Sequence, residues 1–106
     1  MIFTRENIER IRWGEKTETR RVWTRPPVRV GGEYVVRANR FSRARPGDPR
    51  ILVTDLHQQR LGDMDLAHAR REGCRSVADF VDLWTRIHGA WDSDKVVYVV
   101  RFAVVV

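Results

Sequence analysis

Cysteine is almost missing from this chain: Cys74 stands alone in 106 residues, so no internal disulfide can form and no multi-cysteine zinc site can be built. The three histidines, His57, His68 and His88, fall in three separate segments without a partner at metal-ligand spacing, and no metal is expected. No glycine-rich phosphate loop and no serine-triad motif is present, so no cofactor is expected. No apolar run approaches the length of a membrane span, and no charged start followed by an apolar stretch marks a secretory signal. The expectation is a cytoplasmic chain without membrane contact. Repeats and low-complexity segments are absent too, and lysine occurs only twice, at Lys16 and Lys95.

What is present is a folding composition, 42% hydrophobic and 32% charged, at a length that suits one domain over residues 1–106. The net charge of +6 is unevenly spread. Nine arginines between Arg20 and Arg50 face only Glu33 and Asp48, so that segment alone carries +7. Such a field draws polyanions, and the planar guanidinium suits phosphate and stacks on bases. RNA or another single-stranded nucleic acid is the expected partner, with Arg20, Arg21, Arg40, Arg43, Arg45 and Arg50 as candidate contacts. A merely solvated arginine surface is the alternative, and salt dependence separates the two.

Along the chain, Thr4 can cap a helix over about residues 5–13 whose inward stripe is Ile8 and Ile11. A left-handed Gly14 would end it and turn the chain into a strand. On that strand Thr17, Thr19 and Arg21 share one face, and Glu18 and Arg20 the other. Pro26-Pro27 must interrupt it, Gly31-Gly32 turns the chain, and Tyr34 to Arg37 reads as strand running toward Phe41. Residues 42–50 have the Pro-Gly punctuation of an exposed loop, a candidate nucleic-acid arm. Ile51 to Leu61 reads as a strand with Leu52, Thr54 and Leu56 on one face and Val53, Asp55 and His57 on the other.

Asp63 can cap a short helix that ends at Gly73, carries Leu66 and Ala69 inward and has Glu72 in its last turn. Ser76 and Asp79 fit a capping box ahead of Val77, Phe80, Val81, Trp84 and Ile87 at helical spacing. Lys95 to Val106 reads as a closing strand, its even positions apolar and packed on the core, its odd face half solvated or lining a cleft. Trp84 and Trp91 look structural. The pattern is that of an α+β or small-barrel domain.

Gly14, Lys16, Thr19 and Arg21 resemble the Gly-x-Lys-x-x-Thr-x-Arg signature of the ASCH domain family, whose members are PUA-like β-barrels associated with RNA. Further along, residues 32–36 resemble that family's Gly-Asp strand, with Glu33 in place of the usual Asp. Residues 69–73 resemble its helix ending in Glu-Gly, and Phe80 to Trp84 and Val96 to Phe102 its later helix and closing strand. The resemblance implies a PUA-like barrel of about five to six strands with two to three inserted helices.

Arginine stays charged at ordinary pH, whereas lysine can lose its proton when desolvated or crowded by cations. Lys16, beside Arg20 and Arg21, is therefore the candidate base for the Thr19 hydroxyl, and a carboxylate at a helix end such as Glu72 can pass a proton to a leaving amine. The same three positions resemble the catalytic set of ASCH-type amidohydrolases acting on N4-acetylcytidine, with Lys16 as base, Thr19 as nucleophile and Glu72 as acid/base, and this resemblance implies a modified nucleoside as the other expected partner. The alternative is a binding module in which lysine and arginine hold phosphate and threonine donates a hydrogen bond. Trp13 and Trp23 flank the signature as candidate stacking platforms. A third class, an interaction protein dimerising through the odd face of the closing strand, stays open; a monomer or weak homodimer is expected.

Overall fold

The computed structural model describes residues 1–39, 41 and 47–105. Helix α1, Arg5–Arg12, is capped by Thr4, whose hydroxyl accepts from the Asn7 N–H, and it buries Ile8 and Ile11. Strand β1, Glu18–Arg21, follows, then β2, Glu33–Val35, and the long β3, Arg50–Arg60. A 3-10 turn at Leu61–Asp63 leads to helix α2, Leu66–Arg71, then α3, Val77–His88, and the closing strand β4, Val96–Val105. The four strands form one antiparallel sheet in the order β1-β4-β3-β2.

The sheet is covered on both faces. One face carries Val100, Phe102, Ile51 and Val53 into a core with Phe3, Ile8 and Ile11 of the α1 side. The other carries Val97 into a second core with Ala69 of α2 and Phe80 and Trp84 of α3. β4 lies between its two neighbours in the sheet, and it buries Val97 and Val99 as well as Val100 and Phe102. The odd face of β4, expected to be half solvated or to line a cleft, packs Val97 against α2 and α3, buries Val99, and is open at Ala103. Its even face is not uniformly buried, since Val96 at the strand start is 53% exposed.

Three expectations are corrected. The barrel of five to six strands is a four-stranded sheet among the described residues, and it is not closed. β2 stops after three residues because the N–H of Val36 donates to the carbonyl of Pro49, which has no N–H to return and so cannot continue the ladder. Between the two sheet edges runs the N-terminal segment, where Ile2 forms a single parallel bridge with Arg37 and its carbonyl accepts from the Arg21 guanidinium at 2.6 Å. Second, a register shift between Val53 and Asp55 breaks the two-residue alternation expected for β3. Val53 and Leu56 therefore pack on the same core, and Asp55, His57 and Gln59 turn to the opposite face. Third, α2 is capped by Asp65 and not Asp63, which lies in the 3-10 turn. Leu61 and Met64 fill the core there, and Leu66 stays 46% exposed.

Phe102 packs edge-on to Phe3 at 6.2 Å and is 4% exposed, so Phe102→Ala is expected to lower unfolding free energy by about 3–5 kcal/mol. Leu66→Ala is expected to change it by about 0.5 kcal/mol at most. Urea unfolding of both variants checks the assignment.

Candidate functional site

The site begins at the turn after α1. Gly14 takes the left-handed φ of 75°, and the N–H groups of Glu15 and Lys16 both donate to the Arg10 carbonyl at 2.7 and 3.1 Å. This fixes the direction in which Lys16 leaves the turn. The chain then meets the end of α2, which Gly73 terminates with φ 89°. The Thr17 N–H donates to the Arg71 carbonyl at 2.8 Å, and Lys16 Nζ donates to the Glu72 carbonyl at 3.0 Å. Two terminal carbonyls of α2 that the helix itself leaves unpaired are thus satisfied from the entry to β1. Lys16 Nζ also donates to Glu72 Oε1 at 2.6 Å. An ammonium has three donors, so this leaves Lys16 one N–H.

Behind this pair stands a buried ionic network. Lys16, Glu18, Thr19, Arg20 and Glu72 are each no more than 6% exposed. Arg20 Nη1 donates to Glu18 Oε2 at 2.7 Å and to Glu72 Oε2 at 3.1 Å, and Nη2 donates to Gln59 Oε1 at 2.7 Å. Glu18 also accepts from Arg101 Nε at 2.9 Å. His68 Nδ1 lies 2.9 Å from Glu18 Oε2; an ionised carboxylate only accepts, which assigns the hydrogen to Nδ1. Burial alone would raise the Glu18 pKa, but the hydrogen bonds from Arg101 and Arg20, the Arg20 charge and His68 together hold it below the ordinary glutamate value. The two buried acids and two buried bases cancel in charge.

A cavity of about 190 Å³ opens over β1. As an edge strand, β1 contributes side chains from both of its faces: Thr19 and Arg21 from one, Arg20 from the other. Lys16 and Glu72 also line it, and the wall from α3 is Phe80, Leu83, Trp84, Ile87 and His88. His88 stacks on Trp84 with centroids 3.8 Å apart. The Thr19 hydroxyl makes no hydrogen bond among the described residues. The space therefore has a polar floor, in which Lys16 is paired with Glu72 and Arg21 adds a positive charge, and an aromatic and aliphatic wall.

Lys16, Thr19, Arg20, Arg21 and Glu72, all singled out in the sequence, line this one cavity. Arg20 faces inward to Glu18, Glu72 and Gln59, so its charge is balanced within the protein. Arg21 packs over the Phe3 ring at 4.6 Å, and burial lowers its pKa from the usual guanidinium value against the pull of Glu72. Arg50 is exposed at the start of β3, two strands away from β1. Arg40, Arg43 and Arg45 lie outside the described residues. Trp13, 74% exposed, and Trp23, packed on Tyr98 and the first core, do not line the cavity. Among the described residues no group of three or more His, Cys, Asp or Glu is placed to hold a metal ion, and no helix is long and apolar enough to cross a membrane.

Sequence reasoning missed Glu18, Gln59, His68 and Arg101 as partners of the floor and the α3 side chains as its wall. The helical spacing of Phe80, Trp84 and Ile87 marks a buried face; it carries no sign that part of this face overhangs a cavity. The alternation of Glu18 and Arg20 on one strand face was a usable signal, because two opposite charges on an inward face must be paired there.

Neither a protein-family model nor a curated protein sequence matches the chain. Solved structures do. The crystal structure of an ASCH domain from Lactobacillus crispatus JV V101 superposes with a TM-score of 0.72, covering 98% of this chain and 76% of that one at 17% identity. The fold is that of an ASCH domain. A DUF984 protein of Enterococcus faecalis V583 superposes with a TM-score of 0.64, covering 92% of this chain and 68% of that one at 13% identity. In this ASCH fold the signature positions Gly14, Lys16, Thr19 and Arg21 form the turn and edge strand under the cavity.

Because Glu18 anchors three cationic or hydrogen-bonding partners while fully buried, Glu18→Gln is expected to cost about 3–5 kcal/mol, read by urea unfolding at neutral pH. A carboxyl whose folded pKa is depressed contributes stability above its unfolded pKa and loses it as pH falls through the folded value. Wild-type stability should therefore decline as pH drops from about 4.3, and the decline should be shallower in Glu18→Gln.

Proposed function

We propose that this chain is an RNA- or nucleotide-binding module that takes one base-like group, from a nucleoside or from RNA, into the cavity over β1. The observation that carries this reading is the pairing of a polar floor, with Lys16, Thr19, Arg21 and Glu72, and the Phe80 and Trp84 wall. Hydrogen-bonding groups on the floor suit a guest with polar edges, and aromatic rings suit its planar face. The volume of about 190 Å³ falls below the roughly 300–1,000 Å³ of sites for drug-sized ligands, so it accommodates a base and not a strand. A sugar and phosphate would remain at the mouth, near Arg21, with the basic segment up to Arg50 serving any longer RNA.

One observation favours a second reading, amidohydrolysis of an N4-acylated cytidine: Lys16, Thr19 and Glu72 line the same cavity, and the Thr19 hydroxyl has no protein partner among the described residues. In that chemistry a proton passes from the Lys16 ammonium to Glu72 along their 2.6 Å contact, and the neutral amine takes the Thr19 proton as Oγ attacks the acyl carbon. The C–N bond breaks, and the departing amine takes its proton from Glu72, which restores the ion pair. Water then cleaves the Thr19 ester, regenerating the hydroxyl and releasing the acid.

Chromatography of N4-acetylcytidine incubated with the full chain separates the two readings. Hydrolysis predicts cytidine and acetate in equal amounts, with the rate reduced at least about 10²-fold in Thr19→Ala. A pure binding module predicts binding of the nucleoside with no product. Binding of a free nucleoside should be nearly insensitive to salt, whereas single-stranded RNA should weaken with a log-log slope of about −0.7 per phosphate contacted. Absence of binding to both contradicts the proposal.

A further inference from the structure

Around the mouth of the cavity the fold leaves one face of an aromatic ring, two aliphatic side chains and a positive charge uncommitted. His88, the last residue of α3, is exposed and lines the cavity, and its ring lies on Trp84 with centroids 3.8 Å and planes 18° apart. Its Nδ1 is 3.3 Å from the Trp84 carbonyl, which can only accept, so this nitrogen carries the hydrogen. The imidazole is thus held at one face and one edge. No other ring and no guanidinium covers it among the described residues. Ile87 beside it and Val22, directly after β1, line the same cavity and are 63% and 48% exposed.

Arg21 supplies the charge. Its Nη2 donates to the Ile2 carbonyl at 2.6 Å, while Nε and Nη1 meet no acceptor among the described residues and are not buried. Glu72, which also lines the cavity, pairs with Lys16 and Arg20 instead. Lys16, Arg20, Arg21 and Arg101 outnumber Glu18 and Glu72, so the region keeps a positive excess. An accessible guanidinium with spare donors suits the singly charged phosphodiester of a nucleic-acid strand. A flat ring backed by another suits a nucleobase, since every base offers a face for stacking. A volume of about 190 Å³ is taken up by one base, so a second must lie outside it, at the mouth.

Resting on the base-binding reading above, we propose that cavity and mouth form a two-nucleotide site for single-stranded RNA: one base over β1, the linking phosphodiester at Arg21, and the neighbouring base stacked on His88 with Val22 and Ile87 at its rim. Trp84 behind the imidazole keeps this platform flat before any guest arrives. The neighbour is recognised by its face and not by its hydrogen-bonding edge, so the second position tolerates any base.

Calorimetry with the full chain tests this, using cytidine, its 3′- and 5′-methyl phosphates, and the dinucleotides CpA and ApC. Each dinucleotide carries the same single charge as one of the methyl phosphates and differs from it by the second nucleoside. At least one methyl phosphate is expected to bind several-fold more tightly than cytidine, a gain lost in Arg21→Gln. The matching dinucleotide is expected to gain about a further tenfold. His88→Ala should remove that second gain and His88→Phe restore it; a ratio measured within one variant cancels any loss of folded protein. Methyl phosphates no tighter than cytidine, dinucleotides no tighter than their methyl phosphates, or a second gain that survives in His88→Ala each overturn the two-nucleotide site, while cytidine binding keeps the base-binding reading intact. Failure of every probe to bind overturns both.

Discussion

The contact between Lys16 and Glu72 is the constraint on which the site depends. It joins a turn after the first helix to the end of the second, across 56 positions of sequence, and both side chains are buried. Such a pair is not a source of stability in itself, because desolvating two charges offsets most of their attraction. What it supplies is position. With Nζ also capping the Glu72 carbonyl and the Thr17 N–H bonded to Arg71, the edge strand can start in one place only, and Thr19, Arg20 and Arg21 follow in register with Val100, Val99 and Tyr98.

Placing β1 at the sheet edge has a chemical consequence. An interior strand such as β4 has a strand on either flank, and its Val97, Val100 and Phe102 end in apolar cores on the two faces of the sheet. The edge strand has one flank without a neighbour, and there its side chains and the overhanging α3 enclose a space with a polar floor. The polar groups of that floor are held by four partners on three elements: His68 of α2 and Glu72 at its C-terminal cap, Gln59 on β3 and Arg101 on β4. Rigid orientation of donors before a guest arrives is what makes a small cavity selective.

Much of the local structure was legible in the sequence because it rests on short-range chemistry. Thr4 and Ser76 cap their helices as their side chains allow, Gly14 and Gly73 take the left-handed angles their positions require, and the stripe of α3 is buried at Phe80 and Trp84. The resemblance at Gly14, Lys16, Thr19 and Arg21 led to the ASCH fold that the superposed structures bear out. What escaped is long-range. Barrel closure depends on whether separated edges pair, and Pro49 ends β2 before they can. The bulge after Val53 has no local marker and reverses the faces of half a strand. Only Arg20 among the partners of Glu18 is local; His68 and Arg101 lie 50 and 83 positions away, where no short-range pattern reveals them.

The charge pattern changed meaning in the same way. Nine arginines in one segment suggest a uniformly basic surface, yet Arg20 is neutralised inside and Arg21 is packed on Phe3. The result is a chain whose outward charge is smaller than its arginine count suggests, because part of that charge is committed to the interior. On the proposed reading, a base sits over β1 in the space between Lys16, Thr19, Arg21 and the Phe80 wall. A crystal structure of the full chain with cytidine tests this most directly: density for the base is predicted in that cavity, its ring against Phe80 and Trp84. Density bound instead along the exposed edge near Arg50, with the cavity unchanged, would contradict it.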